Sequence, residues 1–171
     1  MTPETDGRGT ATRLARLVRE VEPDRQALDR LHAELQAYAP RLRSDPADRP
    51  LQALVAIDLH DYYTAAETLF ERVARLLDGD VPGGDRWHRD LLQQMATDLL
   101  PVRGALLRGE DLPWLEDLLK FRHFLRHAYA VTLGAAPLLA RADDVQRRHP
   151  HLVAAVDALM AHVAATRARL G

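Results

Sequence analysis

Apolar residues recur along most of the chain at spacings of three and four, the period of a helix with one buried face. The first such stretch starts at Thr10 and carries Leu14, Leu17, Val18 and Val21, then Leu28, Leu31 and Leu35. Glu22-Pro23-Asp24 falls inside it, which predicts a kink or a restart with Pro23 in a first turn. Three prolines and two aspartates make 40–50 read as a loop. A second helix is expected over about 49–78, burying Leu51, Leu54, Val55, Tyr62, Leu69, Val73 and Leu76, with Gly79 as a left-handed cap. Asp85 is placed to cap a third helix that runs through Leu100 and turns Trp87, Leu91, Leu92, Met95 and Leu99 inward. Pro101 and Gly104 leave 101–110 irregular or as a short helical piece. A fourth helix is expected from about Asp111 to about Leu133, where Gly134 and Pro137 stop it. The last carries Leu152, Val156, Leu159, Met160 and Val163, and His149-Pro150 is a place where it can break.

Composition agrees with the period. Leucine (29) and alanine (27) fill a third of the 171 positions, against eleven valines and one isoleucine, Ile57. That bias favours helix over sheet. The expected fold is all-α, an antiparallel bundle with a four-helix core plus extra helices and no β-sheet. Residues 1–9 are polar, with two glycines and a proline, and read as a disordered tail before a single domain over 10–171. With no cysteine, disulfides and thiolate chemistry are excluded. No run approaches the ~20 apolar residues of a membrane span, and the start lacks the apolar stretch of a secretory signal. A cytoplasmic protein without membrane attachment is the expectation.

The formal net charge of −2 argues against coating nucleic acid by bulk charge, and leaves a local basic site open. Of 23 basic residues, 22 are arginine and only Lys120 is lysine. One polar cluster interrupts an otherwise apolar helix: Lys120-Phe-Arg122-His123-Phe-Leu-Arg126-His127-Ala-Tyr129, with no acid within it. Leu118, Leu119, Phe121, Phe124, Leu125, Val131 and Leu133 around it are core-type residues. Cationic groups on such a helix are costly unless they face water, a partner or an anion.

Arg122, a polar residue at His123, three more residues and then His127 resemble the motif of the HEPN superfamily of helical nucleases. With Tyr129 two places on, the stretch is similar to the Arg-x4-His-x-Tyr signature of the HepT toxins. The segments around Leu59-His60-Asp61-Tyr62-Tyr63 to Phe70-Glu71, and Trp87-His88-Arg89 to Leu92, extend the resemblance over about 51–133; the first helix and the tail match in pattern only.

The resemblance implies a HEPN-like helical core and a homodimer whose motif helices meet at one shared cleft. It implies metal-independent cleavage of RNA, with no cofactor. Under it His127 is the acid/base group and Arg122 the phosphate clamp, while His123 and Arg126 support or bind the RNA backbone. A histidine can take a proton from a ribose 2′-hydroxyl or protonate the leaving 5′-oxygen, and an arginine can neutralise charge that develops between those events. It further implies that Tyr129 is adenylylated by a partner minimal nucleotidyltransferase acting as antitoxin, and that the pair serves as a toxin–antitoxin or defence system. Alternatives are a catalytically inactive HEPN dimer that binds such a transferase or a nucleotide, and a plain helical scaffold. At about 100° per residue, Arg122 and His127 lie about 140° apart, so one straight helix cannot aim both at one point.

Other polar residues have simpler readings. His60 and His88 are of the kind satisfied in cores or interfaces, and no His/Asp spacing suits a metal. His149-Pro150-His151 reads as a helix break with exposed rings. Glu116-Asp117 and Asp58/Asp61 are placed to pair with arginines. Trp87 and Trp114 are core anchors near helix starts.

Overall fold

The computed structural model describes the backbone over residues 3–127 and 133–170, and side chains from residue 7 within those ranges. Five helices follow in order: α1 (Pro3–Ser44), α2 (Arg49–Val73), α3 (Trp87–Met95), α4 (Leu112–His127) and α5 (Ala135–Leu170). Among the described residues there is no strand, only an isolated bridge between Leu99 and Arg103. The bundle is all-α, as the pattern predicts. α2 lies at its centre, packed against α1, α4, α5 and α3, and α5 runs along α1.

α1 is one helix of 42 residues, about 63 Å long. Its backbone begins inside the expected tail and passes through Pro23 and Pro40 without stopping. An internal proline costs a helix roughly 3 kcal/mol. Here the buried stripe Leu14, Leu17, Val21, Leu28, Leu31, Leu35, Ala39 and Leu42 stays in phase across both prolines. Ion pairs also pin the Pro23 region: Arg72 of α2 donates to Asp24 (2.6 Å) and Glu20 (3.0 Å), and Arg25 reaches Asp157 of α5 (2.9 Å). Packing outweighs the local breaker. The same holds at Pro150, inside a continuous α5.

The first loop therefore shrinks from the expected 40–50 to the few residues between α1 and α2. Asp48 closes it, its carboxylate accepting from the Leu51 N–H at 2.9 Å. α2 runs on as a π-helical turn, Ala74–Asp78, and ends at Gly79 with φ 87°, the left-handed cap read from the sequence. Leu54 and Ile57 stand outside its buried face, 45% and 51% exposed, so Leu54 departs from the expected stripe.

α3 is shorter at both ends than expected, and Asp85 does not cap it. Arg86 occupies the N-cap position, with no side-chain bond there. At the other end the returning chain takes the carbonyl that a longer helix would use: Leu106 and Leu107 N–H groups both donate to Met95 O, at 2.8 and 3.1 Å. Leu99 is left exposed. Arg103 holds this excursion down. Its buried guanidinium donates to both Asp78 oxygens (2.8 and 2.6 Å) and to the carbonyls of Gln94, Thr97 and Gly104. Every donor is used, which is what a buried charge requires. No helix among the described residues is long and apolar enough to cross a membrane.

Candidate functional site

α4 presents the motif on two faces. Arg122 turns inward: its side chain is only 12% exposed, Nη1 lies 3.1 Å from Glu67 Oε2, and the guanidinium sits 5.8 Å from the Tyr63 ring centroid. The Glu67 contact is an ion pair without hydrogen-bond alignment, since Arg122 Nε and Nη1 make no protein hydrogen bond. Glu67 is itself buried at 4% exposure on α2. Its Oε1 accepts the Tyr63 hydroxyl at 3.1 Å and a short bond from His88 Nδ1–H of α3. Three helices thus converge on one carboxylate. Burial and the Glu67 charge push the Tyr63 hydroxyl far up, so it remains a donor. Glu71, one turn further on α2, is also raised, by burial and then by Glu67.

His123 lies beside this cluster, edge-on to His88 with ring centroids 5.2 Å apart. Its pKa is lowered, first by burial and then by the neighbouring His88 and Arg122 charges. Trp87 stacks on His88 from the other side at 3.7 Å.

His127 points away from the buried Arg122 side. It is exposed near the end of α4, and its Nδ1–H donates to the His123 carbonyl at 2.8 Å. A carbonyl can only accept, so Nδ1 carries a proton, and in the neutral ring the lone pair then falls on Nε2. Arg126 is exposed and forms no ion pair among the described residues. Phe124, expected in the core, is 45% exposed next to it. Tyr129 and Val131 lie outside the described residues.

The structure brings Arg122 and His123 together with Glu67, His88 and Tyr63, and turns His127 away from Arg122, in keeping with the 140° offset. Glu67 was not singled out from the sequence. The signal for it is an acid on the apolar stripe of α2, one turn from Tyr63 and flanked by Ala66 and Phe70, facing an arginine on an apolar stretch of another helix.

Two further readings are corrected. Asp58 meets no arginine: it is buried, its Oδ2 has no partner, and burial followed by Glu34 and Asp61 raises its pKa to about 6. Asp61 is bonded to His60 instead (2.8 Å), while Asp117 does find Arg141 (2.9 Å). His149 is not exposed at a break but buried within α5. Its Nε2–H donates to Asp29 (3.0 Å), its Nδ1 accepts from Tyr62 (3.1 Å), and its ring stacks on His32 at 4.0 Å. Among the described residues, no group of three His, Cys, Asp or Glu side chains could hold a metal ion.

A family model described as HepT-like protein matches residues 54–163. The match begins inside α2 at residue 54, includes α3 and α4 with the whole Glu67 cluster, and reaches into α5 beyond the motif region. No curated protein and no solved structure matches the chain.

Proposed function

The chain belongs to the HepT-like protein family, and from that premise we propose that it is a metal-independent endoribonuclease, the toxin of a cytoplasmic toxin–antitoxin or defence pair. The observation that carries this reading is His127: an exposed imidazole whose Nδ1 proton is committed to a backbone carbonyl, leaving Nε2 as a ready acceptor.

Nε2 takes the proton of a ribose 2′-hydroxyl, and that oxygen forms a bond to the adjacent phosphorus. The P–O5′ bond breaks, and the departing oxygen takes a proton from an imidazolium. The products are a 2′,3′-cyclic phosphate and a 5′-hydroxyl. DNA, lacking the nucleophile, is spared. Arg122, held by Glu67 and lying over Tyr63, supplies fixed positive charge towards the phosphorane-like transition state. His123 and Arg126 support the RNA backbone. Because Arg122 and His127 diverge on one chain, the reading requires a homodimer in which the motif helices of two copies face each other across a cleft. A partner nucleotidyltransferase that adds AMP to Tyr129 would fill that cleft and neutralise its cations.

The test is cleavage of single-stranded RNA in EDTA. His127→Ala should reduce the rate by at least about 100-fold, the usual range for a lost acid/base group. Equal activity of wild type and variant, or none in either, sinks the nuclease reading and leaves an inactive binding dimer or a scaffold. On co-expression with the transferase, intact mass should rise by adenylate units in wild type and not in Tyr129→Phe. An unchanged mass, or a rise that survives the substitution, refutes that part.

A further inference from the structure

A cavity of about 220 Å³ opens between the start of α3 and the middle of α4, lined by Asp85, Arg86, His88, Arg89, Lys120 and His123 over a floor of Leu119. Five of these six polar side chains are basic or can become so, and Asp85 is the single acid. Several arginines are matched: Arg25, Arg72, Arg103, Arg141 and Arg148 each pair with a carboxylate. Arg86, Arg89 and Lys120 form no ion pair among the described residues, although all three border one small space. Like charges gathered this way repel one another, and an anion between them removes the repulsion. The His123 pKa is lowered, first by burial and then by His88, which also lines the cavity, and by Arg122.

The register of α4 supplies direction. Lys120, His123 and His127 stand at i, i+3 and i+7, on one face of the helix, with about 10 Å of rise from first to last. A strand held at the cavity and laid along this face passes His127 within a few nucleotides. Arginine forks suit a tetrahedral oxyanion, and the cavity is of a size for one such group.

We propose that the α3–α4 cavity bordered by Arg86, Arg89, Lys120 and His123 seats one backbone phosphate of a single-stranded RNA, next to the bond that His127 cleaves. This rests on the ribonuclease reading and adds to it a binding site on α3, outside the motif.

The experiment measures binding of a labelled single-stranded RNA hexamer to full-length His127→Ala protein, which cannot cut it, from 50 to 200 mM salt. Neutralising the cavity with Arg86→Gln, Arg89→Gln and Lys120→Gln together should remove one phosphate contact. The log–log salt slope then falls by about 0.7, and the advantage of the parent protein shrinks about 2.6-fold across that range. On binding, the NMR titration of His123 should move to higher pH in the parent and not in the triple variant. An unchanged slope with normal RNA cleavage by the wild-type cavity overturns this proposal and leaves the nuclease reading intact. A reduced slope without cleavage by wild type does the reverse. If AMP competes as tightly as the hexamer, the cavity is a free-nucleotide site and the RNA assignment is overturned.

Discussion

Tyr62 and Tyr63 are neighbours on α2 and lead in different directions, each buried hydroxyl into a network of histidine and carboxylate. Tyr62 meets His149 of α5, which meets Asp29 of α1. Tyr63 meets Glu67, which meets His88 of α3 and Arg122 of α4. The first network closes on itself. His149 donates from one nitrogen and accepts at the other, so a neutral ring satisfies every partner, and burial lowers its pKa to about 4. The second does not close, because Arg122 retains unbonded nitrogens and the adjoining His88 and His123 border an open cationic cavity. A network satisfied in one protonation state serves packing. One with surplus positive charge at the edge of the molecule is suited to meeting an anion.

The largest effect separating the two sides should come from Glu67→Ala. It leaves Arg122 and His88 without their shared acceptor, and breaking a buried pair costs roughly 3–5 kcal/mol. A thermal midpoint lower by about 10 °C is expected; a shift under about 2 °C would show that Arg122 swings freely to water and that Glu67 does not hold it.

The Tyr62 side should instead reveal itself through pH. The unfolded chain protonates histidine near 6.5, whereas folded His149 resists until about 4. Its contribution is therefore complete above about pH 6.5 and is lost as pH falls towards 4, amounting to about 2 kcal/mol between pH 7 and pH 5. Asp58, raised to about 6, pulls the other way in the same window, since its folded form takes up a proton first. Comparing urea unfolding of wild type with His149→Gln isolates the histidine: the difference between the two proteins should narrow by that amount at pH 5. A constant difference would place a charged His149 in the native bundle. Its surroundings, Asp29, His32, Arg25 and Tyr62, are all fixed by α1 and α2.

The smallest effects come from the tyrosines. Tyr62→Phe strips the buried His149 Nδ1 of its donor and should cost about 1–3 kcal/mol. Tyr63→Phe leaves Glu67 with two other partners and should cost about 1 kcal/mol or less. Chemical denaturation orders them, and a reversed order would mean that the Tyr63 network is the tighter of the two.

Much of the bundle was legible because the buried stripes are long and regular. Val55, Tyr62, Leu69 and Val73 of α2 fall where the period puts them, and Gly79 caps as its position implies. What escaped was set by partners distant in sequence. Pro23 and Pro150 read as breaks, yet salt bridges and stacking across helices carry the chain through both. α3 stops at Met95 because a later segment claims its carbonyl. At the site, the cationic stretch and the divergence of Arg122 from His127 could be read from spacing alone. The joint role of Glu67 and His88 could not, since it comes from their meeting in space across α2 and α3.

The scarcity of lysine has a practical result. The chain carries one ε-amine, and it stands at the mouth of the α3–α4 cavity. Among the 171 residues, amine-acylating reagents at mildly alkaline pH therefore find this side chain as the one lysine target. Peptide mapping locates the label, so a single labelling reaction becomes a footprint of whatever occupies the cavity.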